Sequence, residues 1–226
     1  MERIYDKALF EKIIREYPIE EALTDYKEYP IELVLFKKGE HLFKYGEPLA
    51  YICFFISGRA KVYSLLANGK HFLHTFYHQF ELIGDIEFVN RLDIRTNVQA
   101  LTEVYCLLLP LNECHARLYD DRKFLRAACS HLASKLDSRE QLNSHNIFYP
   151  LEERLASYIM NTSDGLVFHE NLTSLSELLG TSYRHLLRTL KDFCDRGYLE
   201  KENGAYKITA PNALKTLGAD IYMNYY

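Results

Sequence analysis

The sequence lacks a long apolar run and a surplus of positive charge. No apolar stretch is long enough to cross a bilayer, and the first 17 residues carry Glu, Arg, Asp and Lys throughout. Neither a membrane span nor a signal peptide is therefore indicated. Lys and Arg total 27 against 31 Asp and Glu, which gives a net charge of −4. Any binding of nucleic acid would have to come from a local patch and not from a basic chain.

Cysteine is scarce, odd in number and without paired spacing. The chain has five cysteines and no Cys-x-x-Cys motif, so the simplest expectation is a cytoplasmic protein with reduced thiols. A nucleophile elbow, a Walker loop and a dinucleotide fingerprint are also missing, and we expect no catalytic residues. With 48% apolar and 26% charged residues, a normal globular core is predicted.

The region from Ile31 to Leu111 consists of short apolar or alternating runs separated by glycines. Each run has the length of a strand, and each glycine stands where a turn is needed. The runs 60–66 and 70–77 flank Asn68-Gly69, a strong hairpin signal. The pattern predicts an antiparallel domain of about eight strands, a closed roll or jelly roll.

A long helix is predicted from Asp121 to Ile147, where neither Gly nor Pro occurs. Apolar residues recur there at intervals of four, three and four, which is helical spacing. The opposite side is charged, which is typical of a solvated face. That side carries Arg122, Arg126, Lys135 and Asp137.

The apolar stripe of this helix needs a partner. A helix of about 26 residues spans nearly 40 Å, too long for one small β-domain to cover, so we expect a parallel two-helix contact in a homodimer. The alternative is that the stripe packs only within its own chain. Arg139 and Asn143 interrupt the stripe and either fix its register or mark its end. The predicted dimerisation residues are Leu125, Ala128, Cys129, Leu132 and Leu136.

The segment after Pro150 predicts a winged helix-turn-helix. An amphipathic helix at 151–160 precedes a short helix that ends at Gly180, and a second helix follows, for which Thr181 or Ser182 can supply the N-cap. Asn203-Gly204 then predicts a β-hairpin. Two helices joined at a glycine turn and followed by a hairpin define this motif.

The chain resembles bacterial Crp/Fnr-type transcription regulators over essentially its whole length. The resemblance rests on the order of elements, on the glycine-punctuated strands, and on the motifs Ile83-Gly-Asp-Ile-Glu-Phe88 and Leu179-Gly-Thr-Ser-Tyr-Arg-His-Leu-Leu-Arg188. It implies an α+β fold: an antiparallel β-roll of the cyclic-nucleotide-binding type, a double-stranded β-helix, then a long dimerisation helix and a winged helix-turn-helix. The corresponding segments are 1–112, 113–148 and 149–226.

The resemblance also implies where an effector would bind. Cyclic-nucleotide-binding members place an acidic residue on the ribose hydroxyl and an Arg with a hydroxyl residue on the cyclic phosphate. This sequence departs from that pattern at several positions. Asp85 is shorter than the usual Glu, and Glu87 stands where a small residue is customary. Arg139 and Glu140 stand where those members have the Thr-Ser pair that contacts adenine, so a cyclic nucleotide is disfavoured as the effector. The alternative is that Arg95 is a salt-bridged scaffold residue. The implied effector residues are Gly84, Asp85, Arg95, Thr96 and Arg139.

The family's oxygen-sensing branch holds an iron–sulfur cluster with cysteines near the amino end. The first cysteine here is Cys53, in a predicted strand, so no iron–sulfur cluster is expected. A redox role for Cys106, Cys114 or Cys129 is the alternative to ordinary buried thiols.

The resemblance places the second helix of the motif in the DNA major groove. Arg184 and Arg188 can each hydrogen-bond to the two acceptor atoms of guanine. The alternative is that both arginines belong to an ordinary solvated helix face. A homodimer would present two such helices about 34 Å apart on a near-palindromic operator. The implied partners are double-stranded DNA, a second copy of the chain and RNA polymerase. The predicted DNA-binding residues are Thr173, Ser174, Thr181, Ser182, Tyr183, Arg184, His185, Arg188, Lys201 and Lys207.

Two other classes of function stay open at this point. A cupin-like metal enzyme could use His71, His74 and His78 with Glu81, but residues 71 and 74 of one strand face opposite sides. Iron or zinc needs at least three converging ligands, so we expect no metal site. The other class is an interaction module without DNA binding, for which an acidic or apolar stripe in place of Arg184 and Arg188 would be typical.

Overall fold

The computed structural model describes residues 1–65, 71–218 and 221, with residues 137–148 described by their backbone alone. These residues form two compact units. The first comprises Met1–Val62 and Tyr77–Ser138, and the second comprises Tyr63–Phe76 and Arg139–Tyr225. No helix in the described part of the chain is long and apolar enough to cross a membrane.

Two sheets form the predicted antiparallel β-roll. The strands are β1 (Glu2–Arg3), β2 (Glu32–Phe36), β3 (His41–Phe43), β4 (Tyr51–Ser57), β5 (Ala60–Leu65), β6 (His71–Tyr77), β7 (Glu81–Ile83), β8 (Asn97–Ala100) and β9 (Val104–Pro110). One sheet has five strands in the order β1-β2-β9-β4-β7, and the other has four in the order β3-β8-β5-β6. The Asn68-Gly69 turn predicted between β5 and β6 lies outside the described residues.

Strand β4, which lies between β9 and β7, is buried on both faces because its residues alternate between two cores. Phe54 packs with Leu107 of β9 and with helical residues such as Phe124. Its neighbours Cys53 and Phe55 belong to a second core, which they share with Cys106. Strand β4 therefore reads as an almost continuous apolar run.

The predicted helical segment 113–148 is divided into two helices at Asp121. The carboxylate of Asp121 accepts hydrogen bonds from the backbone nitrogens of Lys123, at 2.9 Å, and Phe124, at 3.3 Å, so it caps a new helix. The long helix begins at Arg122 and ends at Phe148, close to the predicted Asp121–Ile147, and the first part of the segment 113–148 belongs to a separate helix. The helices of this region are α1 (Lys7–Glu16), α2 (Ile19–Ala22), α3 (Asp85–Asn90), α4 (Leu111–Asp120) and α5 (Arg122–Phe148).

The carboxyl-terminal unit has the predicted winged helix-turn-helix. Its elements are α6 (Leu151–Thr162), β10 (Val167–Phe168), α7 (Leu172–Leu178), α8 (Tyr183–Asp195), β11 (Leu199–Glu202), β12 (Ala205–Ile208) and α9 (Pro211–Leu217). Helices α7 and α8 meet at Gly180, whose φ is +60°, a left-handed conformation that suits glycine. The hairpin of β11 and β12 turns at Asn203-Gly204, and β10 adds a third strand beside β12.

Candidate nucleic-acid interface and effector cassette

Helix α8 has one apolar face and one polar face. Leu186, Leu190 and Phe193 are buried in the core of the second unit, so the residues on the other side of the helix are exposed. The first helical residue, Tyr183, keeps 47% of its surface exposed. The other exposed residues predicted to contact DNA on this face are Arg184, His185 and Arg188.

The amino end of α8 is fixed by its cap. The hydroxyl oxygen of Ser182 accepts a hydrogen bond from the backbone nitrogen of His185 at 3.2 Å. The half-buried Thr181 lies one step earlier, with 3.3 Å between its hydroxyl oxygen and Nδ1 of His185. The structure therefore brings these three predicted residues together. The Ser182 hydroxyl can still donate its proton to a phosphate.

The start of α7 is set by a residue that the sequence analysis missed. The side-chain oxygen of Asn171 accepts hydrogen bonds from the backbone nitrogens of Thr173 and Ser174, both at 3.0 Å. Thr173 and Ser174 are exposed, so their hydroxyl groups are the parts that can reach a phosphate. An Asn directly before a short apolar helix is the N-cap signal that could have revealed Asn171.

The cationic side chains of this unit differ in whether they form ion pairs. Neither Arg184 nor Arg188 forms an ion pair with another residue in the described part of the chain. Lys201 is exposed on β11. Lys207, on β12, lies 3.9 Å from a carboxylate oxygen of Glu202. The two arginines of α8 are thus available for an anionic or hydrogen-bonding partner, and Lys207 is partly neutralised.

Arg196 braces the wing and is a second residue that the sequence analysis missed. Its guanidinium donates hydrogen bonds to Glu152 at 3.0 Å, to Asp192 at 3.2 Å and to the Tyr198 hydroxyl at 2.8 Å. The bond to Tyr198 and those to the two carboxylates raise the pKa of Arg196. Arg196 therefore links α6, α8 and the start of the wing, and its guanidinium is already bound by other side chains of the protein.

The effector cassette begins at Gly84, which follows β7 and is the N-cap residue of α3. Its φ is +94°, and a Cβ placed there would lie 3.1 Å from Cδ1 of Leu49. The left-handed φ therefore favours glycine, and a Cβ would in addition crowd the Leu49 side chain. Asp85 follows as the first residue of α3 and keeps only 1% of its surface exposed.

The Asp85 carboxylate is bound by Lys135 of α5. Lys135 Nζ lies 2.7 Å and 2.9 Å from the two carboxylate oxygens and also donates to the carbonyl oxygen of Leu82 at 2.6 Å. The expectation that Lys135 belongs to a solvated face is therefore wrong: its side chain is only 18% exposed. The helical pattern alone could not reveal this, because the partner lies 50 residues away in the sequence.

The other predicted effector residues are only partly assembled. Glu87 is buried, and its carboxylate accepts a hydrogen bond from the backbone nitrogen of Arg95 at 3.2 Å. The Arg95 guanidinium is exposed, and no carboxylate of the described residues pairs with it, which contradicts the salt-bridged alternative. Thr96 is half-buried. Arg139 is also predicted to contact an effector, but its side chain lies outside the described part of the structure.

The apolar stripe of α5 is divided between the core and the outside. Ala128 keeps 1% of its surface exposed and packs in the core of its own unit, so it faces the roll and not a partner. Leu125 is half-buried against the same core. Cys129 is exposed, Leu132 is half-buried, and Leu136 is 61% exposed. The outward seam is therefore formed by Cys129, Leu132 and Leu136.

The remaining cysteines lie in less accessible places. Cys53 and Cys106 are buried in the same core, where burial and a hydrogen bond with Cys53 raise the pKa of Cys106. Burial likewise raises the pKa of Cys114 to about 11. A raised pKa lowers the thiolate fraction, which makes these thiols slow to react.

The histidines considered for a metal do not converge. His74 Nε2 lies 2.6 Å from the Ser64 hydroxyl, and the Glu81 carboxylate lies 3.8 Å from Nδ1 of His131 on α5. Within the described ranges, no group of three His, Cys, Asp or Glu side chains is placed to hold a metal ion.

Known proteins match both units. The family model of the cyclic nucleotide-binding domain matches residues 33–118, and that of the Crp-like helix-turn-helix domain matches residues 153–217. Regulatory protein YeiL of Escherichia coli O157:H7 is 33% identical over 186 residues, which is 82% of this chain and 85% of that protein.

Solved structures show the same fold. A Crp/Fnr-family protein from Eubacterium rectale ATCC 33656 superimposes with a TM-score of 0.75 at 14% identity and covers 90% of this chain and 99% of its own. A CRP-family transcriptional regulator from Thermus thermophilus gives 0.62 at 16% identity and covers 84% and 99%. Since the sequence relative and both family models agree with this fold, the chain belongs to the Crp/Fnr family of DNA-binding transcription regulators.

Proposed function

We propose that this regulator binds a near-palindromic operator as a homodimer, with α8 of each subunit in the major groove. The observation that carries the proposal is the exposed face of α8, where Arg184 and Arg188 lie one turn apart and pair with no carboxylate of the described residues. The planar guanidinium can hydrogen-bond to O6 and N7 of guanine together. Two subunits joined along α5 would present their α8 helices about 34 Å apart.

Phosphate contacts would come from the residues around α8. The Thr173 and Ser174 hydroxyls, with Lys201 and Lys207 on the wing, are exposed on the same unit. Residues 151–226 hold eight Lys and Arg against ten Asp and Glu. The proposal therefore expects a salt-sensitive specific complex with a weak non-specific component.

The proposal assigns a regulatory and not a catalytic role. Its support is the DNA-binding unit itself, and promoter DNA as the ligand implies that the protein works in the cytoplasm together with RNA polymerase. A cupin-like reaction has no such support, because the histidines of β6 do not converge with Glu81.

DNA recognition is tested by selecting an operator from a random duplex library and measuring its affinity for variants. Each bidentate arginine contact is worth about 1–3 kcal/mol, so the loss of both in Arg184→Ala/Arg188→Ala should weaken binding at least about thirtyfold. Lys215→Ala, which removes an exposed cation from α9, should leave the affinity unchanged. An unaltered affinity in the double variant would overturn the proposal.

Dimerisation is tested on the outward seam. Leu136 is largely exposed in the single subunit, so Leu136→Glu should leave the fold intact and place a charge in the dimer contact. Sedimentation equilibrium should then report a monomer. Ser130→Glu, at an exposed α5 position off the seam, should remain a dimer. A native protein that sediments as a monomer would contradict the proposal.

A further inference from the structure

In the cassette that resembles a cyclic-nucleotide site, the acidic group is already bound by a side chain of the protein itself. Lys135 places its ammonium group against both Asp85 oxygens and the Leu82 carbonyl. All three contacts are 2.9 Å or shorter, and the Asp85 side chain is only 2% exposed. The acidic residue that would accept a ribose hydroxyl thus already has a buried, charge-assisted partner.

The phosphate side of the cassette is also unsuited to an anion. The buried Glu87 carboxylate occupies the backbone nitrogen of Arg95. Because this buried carboxylate is held at the backbone of Arg95, a cyclic phosphate bound by Arg95 would come near a second negative charge, and like charges repel. The residues present do not fit a cyclic nucleotide.

The side chain that fills the cassette comes from the helix that leads to the DNA-binding unit. Helix α5 carries Lys135 and is followed, after Pro150, by α6 of the DNA-binding unit. One turn before Lys135, His131 of α5 lies 3.8 Å from Glu81 at the start of β7. Two charged or polar pairs thus join the same face of α5 to the β7–α3 segment.

We propose that Lys135 is a built-in substitute for an effector and holds α5 on the roll so that DNA binding needs no cyclic nucleotide. Lys135 binds residues of its own chain and lies on α5, outside the proposed DNA interface, so its role would be that of a positioning residue that acts through α5. This inference rests on the proposed function, since its output is operator binding. The alternative is an ion pair that stabilises the fold without influencing DNA affinity.

Nucleotide binding gives the first test. Calorimetric titration of the full-length native protein with cyclic AMP and with cyclic GMP should give no binding heat, and neither nucleotide should alter operator affinity. Binding of either nucleotide, or operator binding that appears only when one is added, would overturn the inference and leave the proposed function standing. Failure to bind DNA with or without nucleotide would instead remove the proposed function, and the inference with it.

Variants of the pair give the second test. Lys135→Met and Asp85→Asn keep the side-chain sizes and remove one charge each. Both should weaken operator binding about 5- to 150-fold, the usual range for coupling between distant sites, and the double variant should be no weaker than the single ones. Lys123→Met is the matched control, because Lys123 lies on the same helix and donates to the Glu20 carbonyl at 2.7 Å.

Separate measurements of stability and of operator affinity distinguish an effect of the ion pair on DNA binding from an effect on folding alone. Thermal midpoints identify a temperature at which every variant is fully folded, and operator affinity is compared there. If the folded Lys135→Met and Asp85→Asn proteins bind the operator as tightly as the native protein, the ion pair only stabilises the fold and the inference is wrong.

Discussion

The Tyr29 hydroxyl donates a 2.7 Å hydrogen bond to the carboxylate of Asp121, the residue that caps α5. Thr24 donates to the same carboxylate through its backbone nitrogen at 2.8 Å and its hydroxyl at 2.9 Å. One buried carboxylate therefore ties the segment before β2 to the start of the long helix. This anchor and the Lys135–Asp85 pair lie along the same helix and fix it at two points.

Asp121→Asn should destabilise the first unit and reduce its sensitivity to acid. Burial raises the pKa of the Asp121 carboxyl, but the hydrogen bonds from Tyr29 and Thr24 outweigh burial, and the pKa lies below its usual value. Such a group contributes stability above the ordinary pKa of about 3.9, and this contribution is lost as the pH falls through the folded value. At neutral pH the loss from the substitution should be about 1–3 kcal/mol.

Urea unfolding at several pH values between about pH 3 and pH 7 measures this effect. The free energy of unfolding of the native protein should fall at the acid end more steeply than that of Asp121→Asn. Asp120→Asn is the control, because Asp120 is the exposed neighbour at the end of α4. Identical acid slopes for the native protein and the Asp121 variant would show that the network contributes nothing.

Cys129 should form an intermolecular disulfide if α5 pairs in parallel. It is the exposed cysteine of the outward seam, whereas Cys53, Cys106 and Cys114 are buried. A copper–phenanthroline oxidant that takes two electrons from two thiols should therefore yield a covalent dimer, visible on a non-reducing gel. Cys194→Ser should still cross-link and Cys129→Ser should not; cross-linking of Cys129→Ser would place the contact elsewhere.

The winged helix-turn-helix could be predicted from the sequence because its signals are local. Helical spacing identifies the buried face of α8 over one short segment, and Asn203-Gly204 adopts positive φ at both positions, as this hairpin turn requires. The DNA-binding roles of the exposed residues come from the resemblance to the Crp/Fnr family, which the spacing alone does not supply.

The role of Lys135 could not be predicted in this way. A helical pattern separates apolar from polar positions, but it does not show which polar residue meets a distant buried partner. Asp85 also carries no sign in the sequence that it will be buried on α3. The same limitation explains Ala128, which lies beside the seam in the pattern and faces the roll in the structure.

Gly84→Ala should destabilise the protein more than Gly46→Ala. Both glycines have positive φ, +94° and +82°, so each alanine should cost about 1–2 kcal/mol in backbone strain. Only at Gly84 does the new Cβ also crowd Leu49, whereas nothing lies within 4 Å at Gly46. Thermal and urea midpoints compare the two variants directly, and equal losses would show that Leu49 yields without cost.

Arg184→Ala and Lys201→Ala should weaken DNA binding in two distinguishable ways. Arg184, on the exposed face of α8, is proposed to read a base, so its loss should relax the preference at one operator position by about 1–3 kcal/mol. Lys201 on the wing is proposed to contact a phosphate. Its loss should weaken binding to all duplexes alike and reduce the slope of log K against log salt by about 1.

Binding isotherms at several salt concentrations, on the selected operator and on single-base variants of it, separate these effects. Lys215→Ala should change neither the slope nor the base preference, because Lys215 is an exposed cation on α9, outside the proposed interface. If Arg184→Ala lowers the salt slope and leaves the base preference intact, Arg184 contacts the phosphate backbone. The base contact in each half-site would then have to come from Arg188 or Tyr183.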